Sequence, residues 1–342
     1  MTQQNLDRFI STLTKHLPAE LGELTSYKIS FQQTLVFSEI TKVILHYPRG
    51  TRNIVIKKLL CNTRKDDNLS LLVELEYKLL AKLYSQFSSI PKINVVKPIT
   101  FFPDDYILVT EDFNGQKLDA LIINQLRWFP TNEALTQINN FCTLSGRWLR
   151  YFQEITSKNE VVRFHINDFM KDLENKVNSA KNADLIPASD RVIYNSIDYK
   201  FSKLPEKHFE LVGYHSDFTP WNVLAKDDEI RVCDFDRFSF RCRYDDLTLF
   251  LCCLEAKKSI LGLSNRHIDC LKNSYLTGYD TSDIENDIFQ LYLIKNTLKC
   301  VNWIDLSGHS NTKFLDIKYE EFRKKRELKT LLIYLKRLLN ES

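Results

Sequence analysis

Glycine is scarce in this chain, with eight residues in 342 against a usual share of about 7%. Loops that cradle phosphate usually rely on glycine, so any such loop here must be built from residues that carry side chains. No apolar run approaches the about 20 residues needed to span a bilayer. The start, Met1-Thr2-Gln3-Gln4-Asn5-Leu6-Asp7, lacks the charged-then-apolar layout of a signal peptide. The eight cysteines are scattered apart from the adjacent Cys252 and Cys253. With no C-x-x-C pair, zinc is not expected. Several cysteines sit in apolar runs, where the residue behaves as a small hydrophobe. A net charge of +3 does not suggest a dedicated nucleic-acid binder, which would show a concentrated basic face. Internal repeats and low-complexity tracts are also missing. The remaining composition, 44% apolar and 27% charged, is that of an ordinary globular protein, expected to be cytoplasmic.

The periodicity of the chain changes along its length. Leu6, Phe9, Ile10, Leu13 and Leu17 have helical spacing. Short β-branched or aromatic runs follow at Tyr27–Phe31, Ile40–Tyr47 and Asn53–Leu60, with a hairpin signal at Pro48-Arg49-Gly50. Asn68–Phe87 predicts an amphipathic helix with Leu72, Leu75, Leu79, Leu80 and Leu83 as its apolar stripe. Val95–Phe102 and Tyr106–Thr110 read as two more strands, giving five strands and one main helix. From there the pattern is helical over Leu118–Leu126, Asn132–Thr156, Ile166–Ala183 and Ser189–Leu204, then near 265–276, 283–304 and 313–340.

Within the helical half, between Leu204 and residue 265, lies Tyr214-His215-Ser216-Asp217-Phe218-Thr219-Pro220-Trp221-Asn222-Val223-Leu224, followed by Cys233-Asp234-Phe235-Asp236. Phosphoryl transfer needs one carboxylate beside the attacking hydroxyl, and an amide and a second carboxylate to hold Mg²⁺ on the phosphates. Asp217 is the candidate catalytic base, and Asn222 and Asp234 are the candidate metal ligands. The protein-kinase pattern is H-R-D-L-x-x-x-N plus D-F-G. Here Ser216 replaces the arginine and Asp236 the glycine.

The stretch resembles instead the loop of the aminoglycoside phosphotransferase and choline kinase family, written H-G-D-x-x-x-x-N with a following I-D-W-like segment. The tight match covers about Tyr214 to Leu247, and the N-terminal half matches in order and character. The resemblance implies a two-lobed protein-kinase-like α+β fold. Its small N-lobe (1–113) is an antiparallel sheet with one main helix that binds ATP. Its larger, mostly helical lobe (114–342) carries catalysis and substrate. It also implies that Lys57, or its neighbour Lys58 on the opposite strand face, meets the nucleotide phosphates, with Glu76 or Glu74 as partner. Glu111-Asp112-Phe113-Asn114-Gly115 resembles the hinge, where the backbone at Glu111 and Phe113 meets adenine. His215 and Asp246 are expected to brace the loop. Asp236 is either a further metal contact or a solvated neighbour, and Trp221 either stacks on the acceptor or packs. The phosphate loop should fall at Gln32–Ser38, which contains no glycine.

The implied activity is ATP- and Mg²⁺-dependent phosphorylation of a hydroxyl on a small molecule or glycan. The rival readings are a protein kinase and a pseudokinase. Arg237, Arg241 and Arg243 follow the metal aspartate. Arginines there could fork onto a carboxylate or phosphate, so an anionic acceptor is one expectation and a polycationic aminoglycoside is not. The last helix carries Arg323, Lys324, Lys325, Arg326 and Lys329 ahead of an apolar run. This leaves two readings, peripheral contact with an anionic membrane or a solvated basic face.

Overall fold

The computed structural model describes residues 9–14, 17, 22–60, 68–186, 207–282, 284–304 and 314–340. The chain divides into two compact units, Met1–Gln116 with Leu224–Arg237, and Lys117–Val223 with Phe238–Ser342.

In the first unit β1 (Ser26–Thr34), β2 (Ser38–Tyr47), β3 (Gly50–Leu59), β5 (Pro98–Phe102) and β6 (Ile107–Glu111) form an antiparallel sheet in the order β1-β2-β3-β6-β5. Strand side chains alternate between faces. Val43 and Leu45 of β2, Ile54 and Ile56 of β3, and Val109 of β6 share one face and bury against Phe9, Ile10 and Leu13 of helical residues 9–13.

Helix α1 (Leu69–Phe87) begins at Asn68, whose side chain accepts a hydrogen bond from the Leu71 amide. Its phase differs from the one expected. The buried stripe is Leu69, Val73, Glu76, Leu80, Leu83 and Phe87, while Leu75 is exposed. Leucines occur nearly all round this helix, so leucine spacing alone does not fix which face turns inward.

The run Val95–Phe102 is likewise two strands rather than one. β4 (Ile93–Val95) pairs in parallel with β11 (Glu229–Val232), and the Val96 amide continues that ladder to the Val232 carbonyl. The chain then changes sheet at Pro98, which has no N–H to donate to a ladder. β11 is followed across its sheet by β10 (Val223–Lys226) and then the two-residue β7 (Gln116–Lys117).

The second unit is mostly helical, with α2 (Leu118–Leu126), α3 (Asn132–Thr156), α4 (Ile166–Asn182), α5 (Tyr244–Ala256), α6 (Asn265–Tyr279), α7 (Asn286–Asn302) and α8 (Phe314–Asn340). It also holds a three-stranded sheet that the sequence reading did not anticipate, ordered β12-β9-β8, from β8 (Val161–Phe164), β9 (Lys207–Tyr214) and β12 (Ser239–Cys242). The helix expected over Ser189–Leu204 lies outside the described residues.

Helices α3 and α6 approach each other at two glycines. A Cβ on Gly146 would lie 2.0 Å from the Tyr275 carbonyl oxygen, and one on Gly278 would lie 1.9 Å from the Thr143 carbonyl oxygen. Both contacts are to backbone, which cannot swing aside. Gly278→Ala therefore has to push the helices apart. It should destabilise the protein by about 1–3 kcal/mol or more, read as a lower urea midpoint. An unchanged midpoint would mean that the two helices are not held at this distance.

Candidate active site

In the first unit the site begins with strand alternation. Ile54, Ile56 and Lys58 share one face of β3, so Lys57 points to the other face, toward α1. Its ammonium nitrogen lies 3.0 and 3.1 Å from the two carboxylate oxygens of Glu76, which is 2% exposed. The same nitrogen is 2.5 Å from Oδ1 of Asp234 and 3.9 Å from Oδ2 of Asp236. Glu76 also accepts the amide N–H of Phe235 at 3.0 Å. Lys57 rather than Lys58, and Glu76 rather than Glu74, thus form the pair. Glu74 instead takes Lys78 one helical turn away.

One ammonium serves three carboxylates. Burial would lower the Lys57 pKa, but the charges of Asp234, Glu76 and Asp236 outweigh it and hold the group well above its ordinary value. Burial raises Glu76, opposed by Lys57 and reinforced by the two aspartates. Asp234 itself takes φ of 75°, a left-handed conformation that a non-glycine residue adopts at a cost of about 1–3 kcal/mol.

The hinge-like segment is tied down in the same unit. Asp112 accepts two hydrogen bonds from Lys42 at 3.0 and 3.1 Å and one from the Asn114 amide at 2.9 Å. The Glu111 carboxylate lies 3.5 Å from Lys97 and 3.7 Å from Arg52. The Phe113 ring meets the Arg231 guanidinium at 5.0 Å and lies so close beneath Gly115 that a Cβ there would come within 2.7 Å of it. The glycine-free turn between β1 and β2 closes with the Leu35 amide on the Ser38 carbonyl at 2.7 Å. It presents Leu35, Val36 and Phe37 outward, with Arg237 5.2 Å from the Phe37 ring.

In the second unit the His-Ser-Asp loop is held by Asp246. One oxygen of its carboxylate accepts the His215 amide at 2.6 Å, and the other accepts the Ser216 amide at 3.1 Å. Lys299 donates to the Ser216 carbonyl at 3.0 Å. These contacts clamp Ser216 at φ of 76°, where glycine would be unstrained. Burial pushes the Asp246 carboxyl up to about 8, while the two amides and Lys299 pull it down and Asp245 adds to the rise.

Below the loop runs a column of rings. Phe152 stacks on Trp148 at 4.9 Å, Trp148 on Phe218 at 5.1 Å, Phe218 on Phe250 at 5.3 Å and Phe250 on Tyr275 at 4.3 Å. His215, fully buried, meets Trp148 and Phe218 edge-on.

On this base the short 3₁₀ turn Pro220–Asn222 returns the chain to Asp217. The Asn222 side-chain amide donates to Oδ2 of Asp217 at 2.9 Å, and Trp221 Nε1 donates to the same oxygen at 3.3 Å. Trp221 thus orients the carboxylate while its ring packs edge-on against Trp303 at 5.6 Å. Arg241 is exposed, 5.6 Å from the Tyr214 ring. Arg243 lines a small cavity of about 180 Å³ with Lys207, His208 and Glu285.

Several supports were not picked out from the sequence. Gln153 donates to the Arg243 carbonyl at 2.9 Å and accepts from Tyr279 at 2.6 Å. Thr156 accepts the Gly213 amide at 3.0 Å. Lys299 and Asp112 belong with them. Each is a single polar residue whose partner is remote in sequence or in a loop, and nothing in local spacing marks it.

The clamp makes a stability prediction. Asp246→Ala leaves two amides of a buried turn without their acceptor, at a cost of about 2–5 kcal/mol. Ser216→Gly removes left-handed strain, so that variant should be as stable as the wild type or more so by up to about 1 kcal/mol. Urea denaturation of both variants is the check. Asp246→Ala unfolding at the wild-type midpoint would contradict the clamp.

No protein-family model matches this sequence, and a search of curated protein sequences finds no match. Solved structures do resemble it. Choline kinase from Cryptosporidium parvum Iowa II superposes with a TM-score of 0.54 at 13% identity, over 97% of this chain and 95% of that one. A choline/ethanolamine kinase family protein from Mesorhizobium loti gives 0.53 at 13% identity, over 98% and 97%. A glucosamine kinase gives 0.53 at 10% identity, over 94% and 97%. A sheet-bearing N-terminal region, a mostly helical C-terminal region and near-complete coverage of these structures agree: the chain has the protein-kinase-like fold of the choline kinases and their relatives.

Proposed function

We propose that the protein is an ATP- and Mg²⁺-dependent phosphotransferase acting on a hydroxyl of a small molecule. The observation that carries this reading is the ammonium of Lys57 held by Glu76 with Asp234 beside it. A fold has no structural need to gather three carboxylates on one buried cation. The excess negative charge, presented entirely by oxygen donors, suits a hard divalent ion. In this reading Asp234 is one ligand. Asn222 is another through Oδ1, since its nitrogen is spent on Asp217. Bound Mg²⁺ would neutralise the phosphate oxygens during transfer. Lys57 grips the nucleotide phosphates, and the backbone at Glu111 and Phe113 meets the base. An amicoumacin kinase of similar fold was solved with AMP-PNP and Ca²⁺, and a glucosamine kinase with ADP and phosphate. Both fit a nucleotide donor here.

Asp217 is the base. Its carboxylate receives the acceptor's hydroxyl proton while the new O–P bond forms and the bond to the nucleotide's leaving oxygen breaks. The products are a phosphate monoester and a nucleoside diphosphate. The hydrogen bonds from Asn222 and Trp221 to Oδ2 hold the carboxylate in place. His215 and Asp246 have positioning roles. The acceptor is a small molecule or glycan bearing a hydroxyl, a sugar being one candidate, with the Trp221 and Trp303 rings offering apolar contact. Arg241 and Arg243 are the residues for any anionic group it carries.

Asp217→Asn keeps the size of the side chain and removes its proton affinity. Turnover should fall on the order of a hundredfold or more, while AMP-PNP with Mg²⁺ still raises the melting temperature as in the wild type. Equal turnover in both proteins would remove Asp217 from this role. A wild type that binds the analogue but shows no turnover over a broad panel of hydroxylated metabolites would favour a pseudokinase.

A further inference from the structure

The outward face of α8 is cationic at helical spacing. Lys325, Arg326, Lys329, Lys336 and Arg337 fall on one side of the helix. Phe322 and Ile333 lie on that side too, and both are about half exposed. Among the described side chains of α8, the acidic Glu327 lies off this face. The opposite side, with Leu331, Leu335 and Leu338, is buried. The solvated face therefore carries five cations, with the exposed Glu321 only at its edge. It is positive, with apolar side chains set among the charges.

Next to this face is a second exposed apolar feature. Arg326 donates through Nε to the Ser259 carbonyl at 2.9 Å, fixing α8 to the turn that leads to Leu261. From the other side Arg127 donates through Nε to the Leu261 carbonyl at 2.8 Å, and the Trp128 amide bonds the Gly262 carbonyl at 2.7 Å. Trp128 is 61% exposed and Phe129 is 95% exposed. The Trp128 ring sits so close to Gly262 that a Cβ there would come within 2.7 Å of it. The tip is thus a built structure, in which two arginine side-chain bonds to backbone carbonyls, one backbone hydrogen bond and a packed ring hold Phe129 and Leu261 out into solvent.

We infer that this face of the second unit docks on the surface of an anionic lipid bilayer. Lysine and arginine on α8 meet the negative headgroups, and Trp128, Phe129 and Leu261 enter the interfacial layer beneath them. Basic helices that lie on membranes combine these two features, and aromatic side chains favour the headgroup level. The apolar tip decides against nucleic acid as the partner, because a nucleic-acid backbone rewards the cations but gives Phe129 and Leu261 no apolar phase to enter. No helix among the described residues is long and apolar enough to cross a membrane, so the contact is peripheral. It is argued independently of the proposed activity.

The test is co-sedimentation of the full-length protein with vesicles of phosphatidylcholine alone or with about 30% phosphatidylserine. The wild type should sediment with the anionic vesicles, weakly with the neutral ones, and lose binding in high salt. Lys325→Gln with Lys329→Gln should weaken binding by about twentyfold, at about fivefold per cation near the surface. Phe129→Ser, at a side chain that packs against nothing, should weaken it by about tenfold with an unchanged melting temperature. The proposal is overturned by failure to bind anionic vesicles, by equal binding to neutral ones, by variants that bind as well as the wild type, or by preference for RNA over the vesicles in competition.

Discussion

One buried ammonium facing more negative charge than it can neutralise is the constraint around which the first unit is arranged. Lys57 can reach Glu76 only because β3 alternates and because α1 turns a glutamate into its buried stripe. A carboxylate with Glu76's burial costs several kcal/mol unless it is paired and hydrogen-bonded. It has both kinds of partner, in the Lys57 ammonium and the Phe235 amide. The same contacts draw the Asp234-Phe235-Asp236 segment onto the sheet-and-helix unit, although it lies more than a hundred residues later in the chain. Three carboxylates on one ammonium leave net negative charge at this place.

The second unit solves a different problem, how to hold the Asp217 carboxylate still on a loop poor in glycine. Ser216 occupies a backbone conformation that glycine takes readily, and the strain is offset by hydrogen bonds from both sides, Asp246 on the amides and Lys299 on the carbonyl. Beneath it the ring column from Phe152 to Tyr275 supplies a stiff floor, since stacked rings resist lateral movement as well as burying area.

Features of the site that lie close together in sequence were legible. The His-Ser-Asp loop, Asn222 and Asp234 stand out by their spacing alone, and strand alternation separates Lys57, which meets Glu76, from Lys58. Most helices of the second unit were legible to within a few residues because their apolar spacing is long and regular, although α5 was not marked out as a helix. What could not be read depends on remote partners. The phase of α1 was hidden by leucines on several faces, and the position that identifies it is a buried glutamate whose reason is a lysine on another element. The break within Val95–Phe102 reflects which of two sheets accepts each half. β8, β9 and β12 pair across gaps that local pattern does not encode. The scarce glycines suggested a missing phosphate cradle, yet Gly146 and Gly278 are placed where two helices need bare backbone.

The account rests on the first unit being a nucleotide site. The direct test is calorimetric titration of AMP-PNP into the wild type and into Lys57→Met, each with and without Mg²⁺, with thermal unfolding as a check that the variant is folded. Lysine and the divalent ion should each contribute, so either loss should weaken binding by about tenfold or more. A wild type that does not bind the analogue, or a folded Lys57→Met that binds it as tightly as the wild type, would contradict the account.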